Sequence, residues 1–225
     1  MNYLGYKEDF SGLSNTTYSK VRERLRKDIL TNYFEPGARL KIAELIKLYN
    51  VSQMPIREAL QQLQGEGLII IEPHKGAYVR KVDQRFVNNI YDIRRIIEVF
   101  LTLESLRFIS DDDIKKLSKI QSNYEKAALK NDLENSLKFN TQFHTLIYQL
   151  ADNEEALRIV EGHWQLINSL RLSYGTGSNR VSEVIEEHRA ILNALSLRDV
   201  KLLEQAASTH CLNAKKDLIT VMNSI

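Results

Sequence analysis

Arg39-Leu-Lys-Ile-Ala-Glu-Leu-Ile-Lys-Leu-Tyr-Asn-Val-Ser-Gln-Met-Pro-Ile-Arg-Glu-Ala-Leu-Gln-Gln-Leu-Gln-Gly-Glu-Gly-Leu-Ile-Ile-Ile-Glu-Pro-His-Lys-Gly-Ala-Tyr-Val-Arg80 holds two short helical patterns a turn apart, followed by two β-rich runs. The first pattern carries Ile42, Leu45, Ile46 and Leu48 at helical spacing. Asn50 ends it, as a residue that tolerates a left-handed turn. Ser52 is placed to cap a second helix, and Pro55 falls in the first turn, where its missing N–H costs little. Ile56, Leu60 and Leu63 share the inward face. Gln53, Met54, Arg57, Gln61 and Gln64 are left outside, and Gly65 and Gly67 stop the helix.

Leu68-Ile-Ile-Ile71 and Ala77-Tyr-Val-Arg80 read as strands, joined by the turn Pro73-His-Lys-Gly76. Helix, turn, helix and hairpin make a winged helix-turn-helix. Its second helix can enter a DNA major groove while the hairpin reaches the neighbouring backbone or minor groove. Val51-Ser-Gln-Met-Pro-Ile-Arg-Glu-Ala-Leu60, with Leu63, Glu66-Gly-Leu68, Pro73 and Gly76, resembles the GntR family of bacterial transcription regulators. That family usually shows Arg and Thr where this chain has Gln53 and Met54, while Arg57 matches a DNA-contacting Arg. The expected DNA-facing set is Arg39, Lys41, Ser52, Gln53, Met54 and Arg57, with His74, Lys75 and Gly76 on the wing. Gln53 is suited to adenine edges.

The chain has 225 residues and a formal net charge of +2. Basic residues dominate from Ser14 to Val82, and the remainder is slightly acidic, which suits one domain facing phosphate. No apolar run reaches the about 20 residues that a membrane helix needs. The N-terminus lacks the pattern of a signal peptide. The one cysteine, Cys211, excludes an internal disulfide, fits a cytoplasmic setting and reads as a small buried side chain.

Residues 1–13 read as a flexible tail, 14–80 as the winged domain, 81–83 as a linker and 84–225 as an all-helical domain for effector binding and dimerisation. A first helix capped by Thr16 or Thr17 runs to about Tyr33, with Val21, Leu25, Ile29 and Leu30 inward. Lys20, Arg22, Arg24, Arg26 and Lys27 lie around its other faces, and Phe34-Glu-Pro-Gly37 is a turn. No Pro follows Pro73, and Gly almost vanishes, which argues for helices. Six are expected: Gln84–Ile109, Ser110 (as cap) to Lys130, Asp132–Ala151, Glu154–Tyr174, Asn179–Leu197 and Asp199–Asn223. Short connections imply an antiparallel bundle. The fold class is therefore mainly α, a winged domain followed by a six-helix bundle.

Three stripes in that bundle contain histidine. Leu133, Leu137, Asn140, His144 and Ile147 fall on one helix face. So do Val181, Val184, His188, Ile191 and Leu195, and likewise Leu203, Ala207, His210, Ala214 and Val221. An unpaired buried polar group costs about 1–3 kcal/mol. Three converging imidazoles relieve that cost by sharing a divalent cation. His163 carries no motif and reads as packing.

Phe143-His144, then Glu187-His-Arg-Ala-Ile-Leu-Asn-Ala-Leu195 with Arg198-Asp199, then His210 resemble the FCD ligand-binding domain of the FadR branch of that family. Six helices rather than seven suggest its VanR-like subgroup. The resemblance implies a metal, zinc or nickel, on His144, His188 and His210, with Asn140 standing where the family has a ligating Asp. It also matches Arg94 or Arg95 to an Arg-(x)3-Glu pattern ending at Glu98. Arg171, from the helix carrying Trp164 and Asn168, is a second cation for a small carboxylate.

These readings converge on a homodimeric regulator that binds a palindromic double-stranded operator and responds to an organic acid at a metal. Two alternatives keep the same residues: a metal-free sensor of acyl or apolar ligands, and a zinc-dependent hydrolase. The metalloprotease spacing His-Glu-x-x-His is absent, so no enzyme is expected.

Overall fold

A computed structural model describes residues 17–224. The expected tail at residues 1–13 and a cap at Thr16 lie outside the described residues. The chain divides into two compact units, the second beginning at Lys81.

The first unit contains α1 (Thr17–Leu30), β1 (Arg39–Leu40), α2 (Ile42–Tyr49), α3 (Gln53–Gly65), β2 (Ile69–Glu72) and β3 (Gly76–Val79). Val21, Leu25 and Ile29 of α1 are buried, as are Ile56, Leu60 and Leu63 of α3, and the two helices pack together. Helix α1 ends before Tyr33, because Asn32 takes a positive φ of 57°. Arg26 does not belong to a solvated basic face. It is buried, and its Nε donates to Glu66 Oε2 at 3.0 Å. On α2, Tyr49 and not Leu48 turns inward. Spacing from Ile42 through Leu45 and Ile46 meets Tyr49 at the seventh step, one residue past Leu48. The Tyr49 hydroxyl donates to Asp28 Oδ2 at 2.9 Å.

Asn50 caps α2 in the left-handed conformation. Ser52 is the N-cap residue of α3, yet its side chain makes no capping bond. The sheet order is β1-β3-β2, antiparallel throughout, with Arg39 opposite Tyr78 and Ile70 opposite the same residue. The short strand β1 has no period of its own and takes its pairing from the wing.

The second unit contains α4 (Gln84–Ser105), α5 (Asp111–Leu129), α6 (Leu133–Gln149), α7 (Glu154–Tyr174), α8 (Arg180–Leu197) and α9 (Val200–Met222). Side chains of Asp83, Ser110, Asp132, Asn153 and Asp199 each cap the helix that follows, and Ser110 with Asp113 forms a reciprocal capping box. Helix α4 stops at Ser105, short of Ile109, and Ile109 instead plugs the core after a turn. Helix α4 packs on α9, α5 on α6, and α8 on both α5 and α9. Leu101, Phe143, Ile147, Trp164, Ile191 and Leu203 lie in one core cluster. On α9 the last inward residue is Leu218, while Val221 is half-buried.

Candidate nucleic-acid interface and metal centre

Helix α3 presents Gln53, Met54 and Arg57 to solvent beside the exposed Ser52. With its amide oxygen toward Arg57, Gln53 accepts from Arg57 Nε and Nη2, both at 2.8 Å. The opposite orientation would set donors against donors, so this one is assigned. The bracket holds Arg57 by one edge and leaves Nη1 outward, the geometry for a fork on a guanine edge or a phosphate. On the wing, His74 takes a positive φ of 62° and Gly76 one of 104°. His74, Lys75 and Gly76 are all exposed at the hairpin tip. Arg39 is exposed, and a Cβ at position 76 would meet its Nε at 3.6 Å. Lys41 is exposed and pairs with Glu44 at 2.9 Å.

In the second unit His144, His188 and His210 come from α6, α8 and α9 and meet. All three are buried, and their candidate ligand atoms lie within 4.8 Å of one another. Each ring is held by its other nitrogen. His188 Nδ1 donates to Gln121 Oε1 at 2.7 Å, and His210 Nδ1 donates to Glu187 Oε2 at 2.7 Å. Those bonds put the protons on Nδ1 and leave Nε2 as a lone pair, the form that binds a metal. Tyr148 OH lies 3.3 Å from His144 Nδ1, and His144 Nε2 lies 3.1 Å from His210 Nε2. His188 Nε2 is buried without any partner.

A metal-free cluster can satisfy His144 and His210 through one shared proton, but it leaves the His188 lone pair unmet. The donor set fits a tetrahedral zinc-like ion, whose nitrogens at about 2 Å stand about 3.3 Å apart. Burial, reinforced by the neighbouring imidazoles and arginines, holds His144 and His188 well below the ordinary histidine range. Both therefore stay neutral, as ligands must. Burial alone would raise Glu187, but the bonds and charges of His210 and Arg180 outweigh it and bring its carboxyl to about 2.

A cavity of about 340 Å³ adjoins the cluster, and His210 is part of its wall. Asn140, Arg94, Trp164, Asn168 and Arg171 line it too. Arg95 does not; it sits half-buried elsewhere on α4. Arg94 is buried over the Tyr91 and Trp164 rings, with centroid distances of 4.8 and 4.9 Å. Its Nε donates to Glu98 at 2.7 Å, while Nη1 has no partner. Arg171 is already engaged, by Asp217 and by the Ala214 carbonyl at 2.7 Å. Asn168 donates to Thr141 at 3.1 Å. His163 is half-buried on α7, outside the cluster.

Sequence reasoning missed Gln121, Tyr148, Arg180 and Glu187. Tyr148 stands four residues after His144, and Arg180 reaches Glu187 across two turns. Both spacings were visible. Gln121 signals itself only as a polar residue between the inward positions Leu117 and Tyr124.

A winged domain followed by a helical bundle with a histidine-lined cavity defines a DNA-binding regulator with its own sensor domain. The chain belongs to the GntR family of bacterial regulatory proteins: that family's model matches residues 17–79, and the FCD domain matches residues 89–213. It is 27% identical to the HTH-type transcriptional regulator YdhC of Bacillus subtilis over 195 residues, covering 86% of this chain and 87% of YdhC. It is 28% identical to the HTH-type transcriptional repressor RspR of Escherichia coli over 186 residues, 83% of this chain and 82% of RspR. The solved structure of E. coli McbR/YncC shares the fold with a TM-score of 0.70 at 20% identity, over 94% of this chain and 99% of that one. The relatives are regulators of transcription, so no catalysed reaction is needed to explain the chain.

Proposed function

We propose that this protein is a cytoplasmic, homodimeric regulator that binds a palindromic operator and releases or grips it in response to a small organic acid. The acid binds beside a divalent metal, zinc or nickel, held by His144, His188 and His210. The observation that carries the sensor half is the unmet Nε2 of His188 among imidazoles whose Nδ1 atoms are already engaged. When bound, the ion supplies a Lewis-acid centre for a carboxylate oxygen. Arg94 offers that carboxylate a second contact through its unpartnered Nη1. Asn140 supplies a neutral oxygen where the resemblance has a carboxylate, so it leaves the site one negative charge poorer. Arg171 acts as a wall held by Asp217, rather than as the acid's anchor. The six helices of the bundle support the VanR-like subgroup.

On the DNA side, Arg57 aimed by Gln53 reads the major groove, and Ser52, Lys41 and the wing residues meet phosphates. A homodimer is supported by Ile93, Ile96 and Phe100, an exposed apolar stripe along α4. A ligand that binds two arrangements of the bundle unequally shifts operator affinity through the dimer.

Metal content and selection of bound DNA test the two halves separately. Purified protein should carry one metal per chain and lose it on His188→Ala. Arg57→Ala should lose the sequence preference of wild type in selection from random duplexes. Protein without metal after loading, or an unchanged preference, refutes the respective half.

A further inference from the structure

Polar groups along the cavity are not alike. Arg94 lines the cavity and its Nη1 is buried without a partner, and His188 Nε2 is likewise unmet in the adjoining histidine cluster. Elsewhere in the lining, two arginines and Ser136 are already answered from within the protein. Arg180 grips Glu187 with both Nη atoms at 2.8 Å. Arg171 is held by Asp217 and Ala214. Ser136 donates to the Asp132 carbonyl at 2.7 Å. The lining also carries an apolar stretch, Ala128 of α5, Leu133 and Leu137 of α6, and Val181 and Val184 of α8, beside the polar Tyr124, Asn131 and Thr176.

The order of these residues gives the wall a direction. Along α6 the inward face runs from His144 through Asn140 to Leu137 and Leu133. Asn140 and Leu133 are two turns apart, about 10 Å at 1.5 Å per residue. The polar end and the apolar sleeve thus follow one another along one axis. A ligand with hydroxyls along its length would set them against Leu133, Leu137, Val181 and Val184, whose side chains offer no hydrogen bond. Each such loss costs about 1–3 kcal/mol.

We infer that the effector is an amphipathic monocarboxylate: an acid head at Arg94 and the histidine cluster, and an unbranched or aryl tail in the α5–α6–α8 sleeve. This rests on the reading of the site as an acid sensor and narrows it, away from sugar acids and other polyhydroxy acids. At about 1.2 Å per bond in an extended chain, the sleeve takes about eight carbons.

The test is calorimetric titration of the full-length protein, zinc-loaded and chelator-treated, with straight-chain acids from acetate to dodecanoate. Gluconate, octanol and octylamine serve as controls. Affinity should rise about fourfold per added methylene up to octanoate and then level off. Octanol and octylamine should bind at least tenfold more weakly than octanoate. Leu137→Trp, which fills the sleeve, should move the optimum to shorter acids; Arg94→Gln should weaken all acids alike. Acids that bind with no dependence on length, or gluconate binding more tightly than octanoate, overturn the tail assignment and leave the acid site standing. Octanol binding as tightly as octanoate overturns the head assignment. Binding of none of these acids by protein that takes up zinc overturns both this inference and the acid-sensor reading beneath it.

Discussion

Glu187→Gln is the sharpest perturbation the site allows, because it replaces one carboxylate oxygen with an NH2 group, and removes the charge, at almost no change in volume. Glu187 accepts four bonds. Oε2 takes His210 Nδ1 at 2.7 Å and Arg180 Nη2 at 2.8 Å. Oε1 takes Arg180 Nη1 at 2.8 Å and Asn213 Nδ2 at 2.7 Å. An amide has one oxygen, so either orientation loses two of the four. If its nitrogen faces His210, the imidazole must accept there, which moves its proton to Nε2, the atom offered to the metal. If its oxygen faces His210, Arg180 and Asn213 lose their partner on the other side, and a neutral acceptor replaces a charged one. Loss of such an outer contact costs about 10–100-fold in metal affinity, or about 1.4–2.8 kcal/mol.

Zinc affinity is measured by competition with a chromophoric chelator at neutral pH, beside far-UV circular dichroism to confirm folding. Asn213→Ala is the control. It removes a bond to the same carboxylate without touching His210, and should change zinc affinity less than about threefold. A folded Glu187→Gln protein with wild-type zinc affinity would refute the claim that this carboxylate sets the His210 tautomer. Equal losses in the two variants would show that general loosening of α8 and α9, and not the imidazole, is responsible.

Three other outcomes follow from the same contacts. Asn140→Asp supplies the carboxylate missing one turn before His144 and should tighten zinc at least about tenfold in the same competition assay. Arg26→Met strands the buried Glu66 carboxylate and should destabilise the winged unit by about 3–5 kcal/mol in urea unfolding, with most of that recovered in Arg26→Met/Glu66→Leu. Ser110→Ala breaks the capping box at α5 and should cost about 1 kcal/mol at pH 7. The Ser110 hydroxyl and amide, with Lys116, hold the Asp113 carboxyl at about 2. A depressed carboxyl stabilises above its unfolded value of about 3.9. The wild-type advantage over Ser110→Ala should therefore shrink as pH falls from about 4 toward 2, checked by thermal unfolding across that range.

What the sequence made legible was whatever repeats locally. The bundle stripes, the cap at Ser110, and the glycine-bounded hairpin each announce themselves within one or two turns of chain. Periodicity also brought His144, His188 and His210 to inward faces, and in the structure they adjoin, with ring centroids 4.8–5.0 Å apart. What stayed hidden depends on partners far along the chain. Strand β1 exists only because β3 lies beside it. Arg26 looks like one of five cations on a basic helix until Glu66, 40 residues on, reaches it. Arg171 reads as a free cation until Asp217, 46 residues on, takes its charge. Leu48 and Tyr49 differ for a nearer reason: both are apolar enough to go inward, and only the phase set by Ile42 and Leu45 chooses between them.

The same non-local pairing explains why a cavity with three arginines is not simply a cationic pocket. Arg94, Arg171 and Arg180 each have a carboxylate of their own, in Glu98, Asp217 and Glu187. Their charges cancel pairwise, and what remains unmet is directional: Nη1 of Arg94 and, in the adjoining cluster, the Nε2 lone pair of His188. A divalent ion on the imidazole lone pairs would add charge that Asn140, being neutral, does not offset. The missing negative charge must then come from a bound anion or from hydroxide. An anion that also fills the apolar sleeve displaces water from Leu133, Leu137, Val181 and Val184, a gain hydroxide cannot offer. On the proposed function, that difference would make occupancy of the metal position and occupancy of the cavity a single coupled event, the kind of coupling by which a sensor domain tells its ligand from solvent.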